Sequence, residues 1–575
     1  MASETLDSLL NQLDELKRRF DAQARTRAEK MLARLAKRRF TDAGALIRFH
    51  EILLFMRAYP QSPDILSLVE ETLASFPQRV AMLRGAGVDL SPFEEGEVSG
   101  IAGTSLTANF SYPVARWLAL RHPAEVTIDW EGYADGARLG ETLPRFLPLL
   151  EEDALVEANV PFLDWLRAAT GREGHGLSWL IQCFERLALN GQEKAELYDS
   201  LKLYIRWQPR KFRVTRTGMK RAVRKVFYHD QPLLRRSDIS LPSELDSPPL
   251  TLKRLSRHEG EAILDMIRDT SAIRYRELHG FTYGDPGSCL HAEAGRGVEF
   301  FFNGALPQHR LPLRAYHSAF MFKNGIPVGY AEGLSFFERM EFGFNLYYTF
   351  RDGESAWLYA RILRLFRQIL GVTSFSVDPY QIGFENEEGI ESGAFWFYRK
   401  LGFRPTLAQS MKIVLGEERK MAARPQYRTP PRTLRRISTS HLLFEPSLAP
   451  RSRWDRFQIR NLGLAVNRRM ATHFDGDARK IRSRSAATVA RALDVSTEDW
   501  KEAERLAFEN LALVLALIPD LARWSDDEKR AIARIARAKG SADESRYVRL
   551  LQKHGKLRDA IIRLGSQEVA NQFTE

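Results

Sequence analysis

Three successive runs of alternating apolar residues in the middle of the chain constrain its fold most strongly. The first run covers 316–322, the second covers 327–336 and the third covers 342–350. The first two are separated by a segment that contains Asn324 and Gly325, and Asn-Gly between apolar runs predicts a tight β-hairpin. The pattern therefore predicts an antiparallel sheet at the centre of the chain.

Helical periodicity surrounds these strands. Residues 354–370 place apolar side chains on one helix face and stop at Gly371, and a further strand is predicted over 372–377. A strand over 250–255 followed by a helix opens the same region, whereas the Gly-rich stretch 270–312 predicts irregular structure. We therefore predict an α+β fold, with a mixed sheet covered by helices on both faces and mainly α-helical regions on either side.

The length of 575 residues suggests several domains. Proline- and serine-rich stretches and shifts in composition mark the expected boundaries. We predict a mainly α-helical N-terminal region over 1–240, an α+β domain over 250–415, an Arg/Pro-rich linker over 416–453 and an α-helical C-terminal domain over 454–575.

The formal net charge of +12 is concentrated in two segments. Residues 206–236 contain eleven Lys and Arg against one acid, and 404–484 contain nineteen against six. Such segments can bind a phosphate-rich partner such as nucleic acid, or they can be solvated linkers. Aromatic residues interleaved with the first segment could stack on bases or pack in a core. These aromatic residues are Trp207, Phe212, Phe227 and Tyr228.

No apolar run reaches the length of a membrane span, and no leader pattern opens the chain, so we expect no membrane partner and a cytoplasmic location. The two cysteines, Cys183 and Cys289, are too few for a metal framework. The histidines His279, His291 and His309 show no helical pairing. We therefore expect no metal.

The helix over 354–370 begins directly after a strand and a small-residue turn that contains Gly353. Unpaired N–H groups at a helix start attract anions. Further on, the run SGAFWFYRKLGF places Ala394, Tyr398, Gly402 and Phe403 at a regular spacing. Together, these features resemble the acyl-CoA-binding core of GNAT-type N-acetyltransferases, over roughly residues 250–415.

The resemblance implies acetyl-CoA or another acyl-CoA as co-substrate and an amine as acceptor. It implies that the turn holds the pyrophosphate, with Phe350 at the position of the family's Gln or Arg and Arg351 one residue later. Ser355 replaces the second small residue of the family pattern, and Asn386 lies upstream of the family's Asn. The cofactor-binding residues expected on this basis are Tyr348, Phe350, Arg351, Gly353, Ser355, Ala356 and Asn386.

Two residues are candidates for proton transfer. Glu332 is a carboxylate on an otherwise apolar strand face, where burial would raise its pKa and suit it to a general base. Its alternative role is an ion pair with a neighbouring Arg or Lys. The resemblance gives Tyr398 the role of general acid toward the departing thiolate, and its alternative is aromatic packing beside Phe395 and Phe397.

Two other functions remain open from the sequence. One is a non-catalytic GNAT-like scaffold that binds a phosphate-rich partner such as RNA through the basic segments. The other is an acyltransferase that uses a different donor, such as an aminoacyl-tRNA. The sequence does not identify the acceptor.

Overall fold

The computed structural model describes residues 5–133, 136–148, 162–171, 176–446 and 453–566. These residues form a mixed α+β protein, which confirms the predicted fold class at that level. Among them, no helix combines the length and the apolar composition needed to cross a bilayer. Buried side chains from all four predicted regions belong to one large apolar cluster. Because the cluster does not divide at the predicted boundaries, those boundaries remain predictions.

The N-terminal segment forms helices that start at side-chain caps and bury leucine-rich faces. Asp21, Asp42 and Ser62 each accept a hydrogen bond from a first-turn N–H group, which satisfies an otherwise unpaired donor. The helices are α1 (Leu6–Leu16), α2 (Ala22–Ala36), α3 (Ala43–Ala58), α4 (Pro63–Ala74) and α5 (Phe76–Gly85). Of these, α3 is buried along most of its length and packs toward the central sheet.

A second apolar cluster surrounds a small antiparallel sheet of order β1-β3-β2. Trp207 is fully buried in it. Its elements are β1 (Leu106–Asn109), α6 (Tyr112–Arg121), β2 (Val126–Ile128), α7 (Gly136–Thr142), α8 (Phe162–Thr170), α9 (Gly176–Arg186), α10 (Gly191–Asp199) and β3 (Tyr204–Trp207). The short helix α11 (Leu241–Leu245) follows and packs on the central region.

Within the described residues, nine strands form the central sheet, in the order β11-β12-β10-β9-β8-β7-β6-β5-β4. The first part comprises β4 (Thr251–Arg254), α12 (Arg257–Ala272), α13 (His279–Thr282), β5 (Leu290–Gly295), β6 (Val298–Gly304), β7 (Ala315–Lys323), β8 (Ile326–Phe336) and β9 (Arg339–Leu346). The second part comprises α14 (Ser355–Leu370), β10 (Ser374–Val377), α15 (Glu387–Glu391), α16 (Ala394–Arg399), β11 (Arg404–Pro405), α17 (Ala408–Ala423), α18 (Pro431–Ile437) and β12 (Leu442–Phe444).

The two strands β9 and β10 are parallel, whereas the other neighbours in this sheet are antiparallel. Their pairing ends at Glu341 and Ser376, although β9 continues to Leu346. Strand β10 ends one residue later, at Val377, so residues 342–346 of β9 have no partner in β10. Helix α14 covers one face of the sheet there, with the Phe366 ring 5.2 Å from the Phe342 ring.

The hairpin predicted at Asn324 and Gly325 is present between β7 and β8. Both residues have positive φ, of 50° and 79°, as a two-residue hairpin turn of this type requires. An added Cβ at Gly325 would lie 2.2 Å from the carbonyl oxygen of Arg221, whose N–H donates to the Gly325 carbonyl. The basic segment thus packs directly on the turn.

We expect Gly325→Ala to destabilise the fold on the order of 3 kcal/mol, because backbone strain and a clash act together. Gly295→Ala is the matched control, since Gly295 also has positive φ but has no atom within 4 Å of an added Cβ. It should cost only about 1–2 kcal/mol. Urea denaturation of both variants measures the difference, and equal losses would contradict the close packing at Gly325.

Two stretches contain more regular structure than their sequences indicate. Residues 270–312, predicted to be irregular, contain the β5–β6 hairpin. Arg296 and Gly297 form its turn and both have positive φ. Strand β6 follows the turn, and its Phe300 side chain is buried. Residues 416–453, predicted as a linker, include the end of α17, all of α18 and strand β12. The apolar run 442–444 is buried and inserts β12 between β10 and β11.

Helices at the C-terminal end pack on the central region, where α23 contacts α14, β7 and β8. They are α19 (Ile459–Phe474), α20 (Ala478–Leu493), α21 (Glu502–Leu515), α22 (Asp526–Lys539), α23 (Glu544–Gln552) and α24 (Gly555–Gly565). The Tyr547 hydroxyl of α23 donates to the Leu313 carbonyl at 2.5 Å. This end of the chain is therefore attached to the central sheet through buried contacts.

Candidate functional site

Glu332 lies on β8, on the sheet face opposite α14. It is partly buried, and the Tyr316 hydroxyl of the neighbouring strand β7 donates a hydrogen bond to its carboxylate. Burial raises the pKa of Glu332, and the Tyr316 hydrogen bond offsets only part of that rise. Within the described residues no cation forms an ion pair with it, so the alternative role of Glu332 in an ion pair finds no partner there.

Tyr398 lies on α16 and is buried. Its hydroxyl donates to Gln381 Oε1 at 3.4 Å, and its ring lies 5.5 Å from the Tyr359 ring and 5.8 Å from the Phe403 ring. Burial raises the pKa of Tyr398, so its hydroxyl keeps its proton at neutral pH. The residue therefore both packs among aromatic rings and presents a protonated hydroxyl.

Gly343 connects these two groups. It stands directly opposite Glu332 in the β8–β9 ladder, so both residues belong to the same sheet face. An added Cβ at Gly343 would lie 2.9 Å from Gln381 Nε2, which places the Gln381 amide over this glycine. Gly343 and Gln381 therefore lie between Glu332 on one sheet face and the Tyr398 ring, which packs against Tyr359 of α14.

The turn after β9 is packed on its inner side. An added Cβ at Gly353 would lie 2.5 Å from the Tyr59 hydroxyl of α3, so this glycine is required for close packing. The Glu354 carboxylate is buried, accepts two hydrogen bonds from Arg296 and lies 3.6 Å from Lys323 Nζ. Because it points toward these cations, its charge is neutralised and it does not cap α14.

The outer side of the turn is accessible. Tyr348 is exposed, and the exposed guanidinium of Arg351 donates to Glu388 of α15 at 2.6 Å. The Ser355 hydroxyl is exposed and donates to the Arg351 carbonyl at 2.7 Å. The Glu354 side chain makes no capping hydrogen bond to the first-turn N–H groups of α14.

The remaining residues expected at the cofactor have structural contacts. Phe350 and Ala356 are buried in the apolar core. The Asn386 side chain caps α15, since its Oδ1 accepts from the Gly389 N–H at 3.3 Å and its amide donates to the Tyr380 carbonyl at 2.9 Å. These contacts explain the positions of Phe350, Ala356 and Asn386 without a bound cofactor.

Two open clefts border the Glu332 face. The first, which we call the Glu341 cleft, has a volume of about 590 Å³ and is lined by Leu334 and Glu341 together with residues around β12. The second, the His279 cleft, has a volume of about 1050 Å³ and lies between α13 and α6. The His279 ring is 5.1 Å from the Tyr316 ring, so the second cleft adjoins the hydrogen-bond partner of Glu332.

The basic segment 206–236 is divided between core and surface. Trp207 is buried, and Phe227 lies under the guanidinium of Arg296, with 5.3 Å between the Arg296 Cζ atom and the ring centroid. Phe212 and Tyr228 are exposed, as are several of the cations. Only two of the four aromatic residues are therefore available for stacking on a partner.

No family model, curated protein or solved structure matches this chain. The candidate site consequently stands on its own geometry. Sequence reasoning missed Tyr316 and Gln381, the hydrogen-bond partners of the two proton-transfer candidates. The position of Gln381 just after strand β10, at the carboxyl end of a parallel pair, is the signal that could have found it.

Proposed function

We propose that this protein transfers an acyl group from an acyl-CoA, such as acetyl-CoA, to an amine by direct attack, as the resemblance to GNAT-type N-acetyltransferases suggests. One observation carries the proposal. Glu332, a carboxylate with a raised pKa and no cationic partner among the described residues, lies opposite Gly343, in the part of β9 that extends beyond its pairing with β10. The Tyr398 hydroxyl reaches the same place through Gln381.

The coenzyme would be held on the outer side of the turn after β9. Arg351 and the Ser355 hydroxyl, together with the N–H groups that begin α14, would bind its diphosphate. The thioester supplies the activated acyl group. Residues 342–346 of β9 extend beyond the pairing with β10, and their backbone would hold the pantetheine arm.

The residues of the site can then move the protons that the reaction requires. Glu332 takes a proton from the acceptor ammonium, which leaves a neutral amine able to attack the thioester carbonyl. Formation of the amide bond breaks the carbon–sulfur bond, and Tyr398 gives its hydroxyl proton to the departing sulfur. The second proton that the nitrogen loses on becoming an amide then returns the Tyr398 phenolate to its neutral form. The Glu341 cleft provides the approach for the amine, because Leu334 on its wall is two residues from Glu332 on the same strand face.

Thiol release from acetyl-CoA, measured with a panel of polyamines, amino acids, aminoglycosides and peptide amines, tests this function. We expect at least one class of amine to accelerate thiol release above the rate with acetyl-CoA alone. Release that stays at the level of the protein-free control with every amine, and with propionyl-CoA as well, would count against acyl transfer.

We expect Tyr398→Phe to lower turnover about 10²-fold, because general acid catalysis contributes at least that much when a positioned group is lost. Affinity for acetyl-CoA should stay unchanged. Tyr359→Phe is the matched control, since it removes the neighbouring buried hydroxyl, which has no hydrogen-bond partner among the described residues. Equal turnover in the two variants would remove Tyr398 from the mechanism.

The second candidate function, a scaffold that binds RNA, is favoured by the exposed cations at 210–213. Arg210, Lys211 and Arg213 surround the exposed Phe212, a combination that suits stacking on an unpaired base beside phosphates. Salt-dependent retention of the full chain on RNA, weakened by Phe212→Ala, is the result expected of this function. Retention that does not change with salt would oppose it.

A further inference from the structure

Three side chains that can bind a metal meet in the Glu341 cleft. Glu341 is on β9, Asp378 directly follows β10 and His441 directly precedes β12. These are three neighbouring strands of the sheet, and the pairing of Val377 with Leu442 brings Asp378 opposite His441. The strand register therefore gathers residues that lie up to a hundred positions apart in sequence.

The spacing of their polar atoms suits a small ion with four ligands. His441 Nε2 lies 3.5 Å from Glu341 Oε2 and 3.6 Å from Asp378 Oδ2, and one ligand atom from each residue lies within 4.8 Å of the others. A tetrahedral zinc ion with bonds of about 2.0–2.2 Å separates its ligand atoms by roughly 3.3–3.6 Å. The two separations from His441 thus match a zinc geometry, and the two carboxylates lie within 4.8 Å of each other.

Each carboxylate is oriented by a donor on its other oxygen. Arg314 Nη1 lies 3.2 Å from Glu341 Oε1, and the Tyr380 N–H donates to Asp378 Oδ1 at 2.9 Å. The oxygens that face His441 lie on the side where a metal would bind. Hydrogen bonds of this kind, outside the ligand set, hold ligands in place at known metal sites.

A second, independent observation points to a ligand at this place. Ser440 lines the same cleft, its side chain is only 6% exposed, and its hydroxyl has no hydrogen-bond partner in the described part of the chain. A buried hydroxyl without a partner costs free energy unless a water or another group binds it. A water or substrate atom bound to a metal beside His441 would supply that partner.

We propose that Glu341, Asp378 and His441 bind a zinc ion whose fourth position faces the cleft. Three protein ligands with one open position are typical of zinc sites that bind water or substrate. Glu341 pairs with Leu334 in the strand ladder, one step along the same face from Glu332, so the ion lies beside the proposed reaction site. The site does not depend on acyl transfer, and it departs from the expectation of no metal.

The test uses the full chain after chelator treatment, with zinc chloride titrated in a calorimeter and cobalt(II) chloride as a spectroscopic probe. We expect one zinc ion per chain and the intense visible absorption that four-coordinate cobalt(II) gives. His441→Ala and the isosteric Asp378→Asn should each weaken zinc binding by at least about 100-fold, since even loss of an outer hydrogen bond costs 10–100-fold.

His473→Ala is the matched control, because His473 is exposed on α19, away from the cleft. It should bind zinc as the unchanged chain does. Absence of binding in the folded chain, or binding that survives both His441→Ala and Asp378→Asn, would overturn the site. Asp378→Asn keeps a side-chain oxygen for the Tyr380 N–H, so it separates loss of metal from loss of fold. The calorimeter measures zinc binding and not catalysis, so a failure to detect acyl transfer would leave the zinc result unaffected.

Discussion

Glu332→Gln is expected to lower the rate of acyl transfer about 10²–10⁴-fold, the usual contribution of a general base. The amide oxygen can still accept the hydrogen bond from Tyr316 but cannot take a proton from the acceptor. Turnover should fall while affinity for acetyl-CoA stays the same. Steady-state rates with the best amine from the panel, together with calorimetric affinities, measure the two quantities.

The pH dependence of stability shows whether Glu332→Gln lowers turnover by loss of the base or by loss of the fold. The pKa of Glu332 is raised in the folded state, so the folded protein binds the proton more tightly than the unfolded chain and loses stability as pH rises through that window. Glu332→Gln removes this loss, so the variant should be at least as stable as the parent at pH 8. Activity of the parent should rise with pH through the raised pKa. A variant with parental turnover would exclude Glu332 as the base.

Arg216→Met is expected to destabilise the protein by about 3–5 kcal/mol, because it leaves a buried carboxylate without its cation. Arg216 Nη2 donates to Glu51 Oε2 at 2.6 Å and to the Thr349 hydroxyl at 3.0 Å, and all three side chains are buried. This contact joins the basic segment to α3 and to the turn after β9. Urea denaturation at pH 7 measures the loss.

The sign of the pH effect follows from Glu51. Burial raises its pKa, but Arg216 and His50 overcome that effect and lower the pKa to about 2. A depressed pKa contributes stability above about pH 4.5 that is lost as pH falls toward 2. In Arg216→Met the carboxylate is no longer favoured, so the deficit should be largest at neutral pH and smaller at pH 5.

Arg213→Met is the matched control in the same segment, since Arg213 is exposed and should change stability by no more than about 0.5 kcal/mol. A double variant, Arg216→Met with Glu51→Gln, should recover part of the stability because no buried charge remains. If Arg216→Met and Arg213→Met unfold at the same urea concentration, the buried pair has no structural role.

The parts of the fold that depend on local sequence could be predicted. The Asn324–Gly325 hairpin has a specific backbone requirement, and α14 ends at Gly371 in the left-handed conformation, as its sequence indicates. The glycines around the β5–β6 turn at Arg296 and Gly297 favour irregular structure locally, which hides the hairpin. The apolar run 298–304 that follows the turn is the signal that indicates a strand there.

The candidate site was also predictable only where its residues show a local sequence pattern. Glu332 is conspicuous because alternation along one strand reveals a carboxylate on an apolar face. The role of Gly353, by contrast, depends on Tyr59, almost three hundred residues away, and the neutralisation of Glu354 depends on Arg296. Contacts between distant segments leave no periodic pattern in the sequence, so the inner packing of this turn could not be inferred.

Calorimetric titration of acetyl-CoA into the full chain tests the central claim most directly. We expect saturable binding of one molecule per chain, weakened by Arg351→Glu because that change places a negative charge where the diphosphate would bind. Tyr398→Phe should bind as the parent does. A folded protein that gives no heat of binding, by calorimetry at two temperatures, would contradict acyl-CoA as the donor.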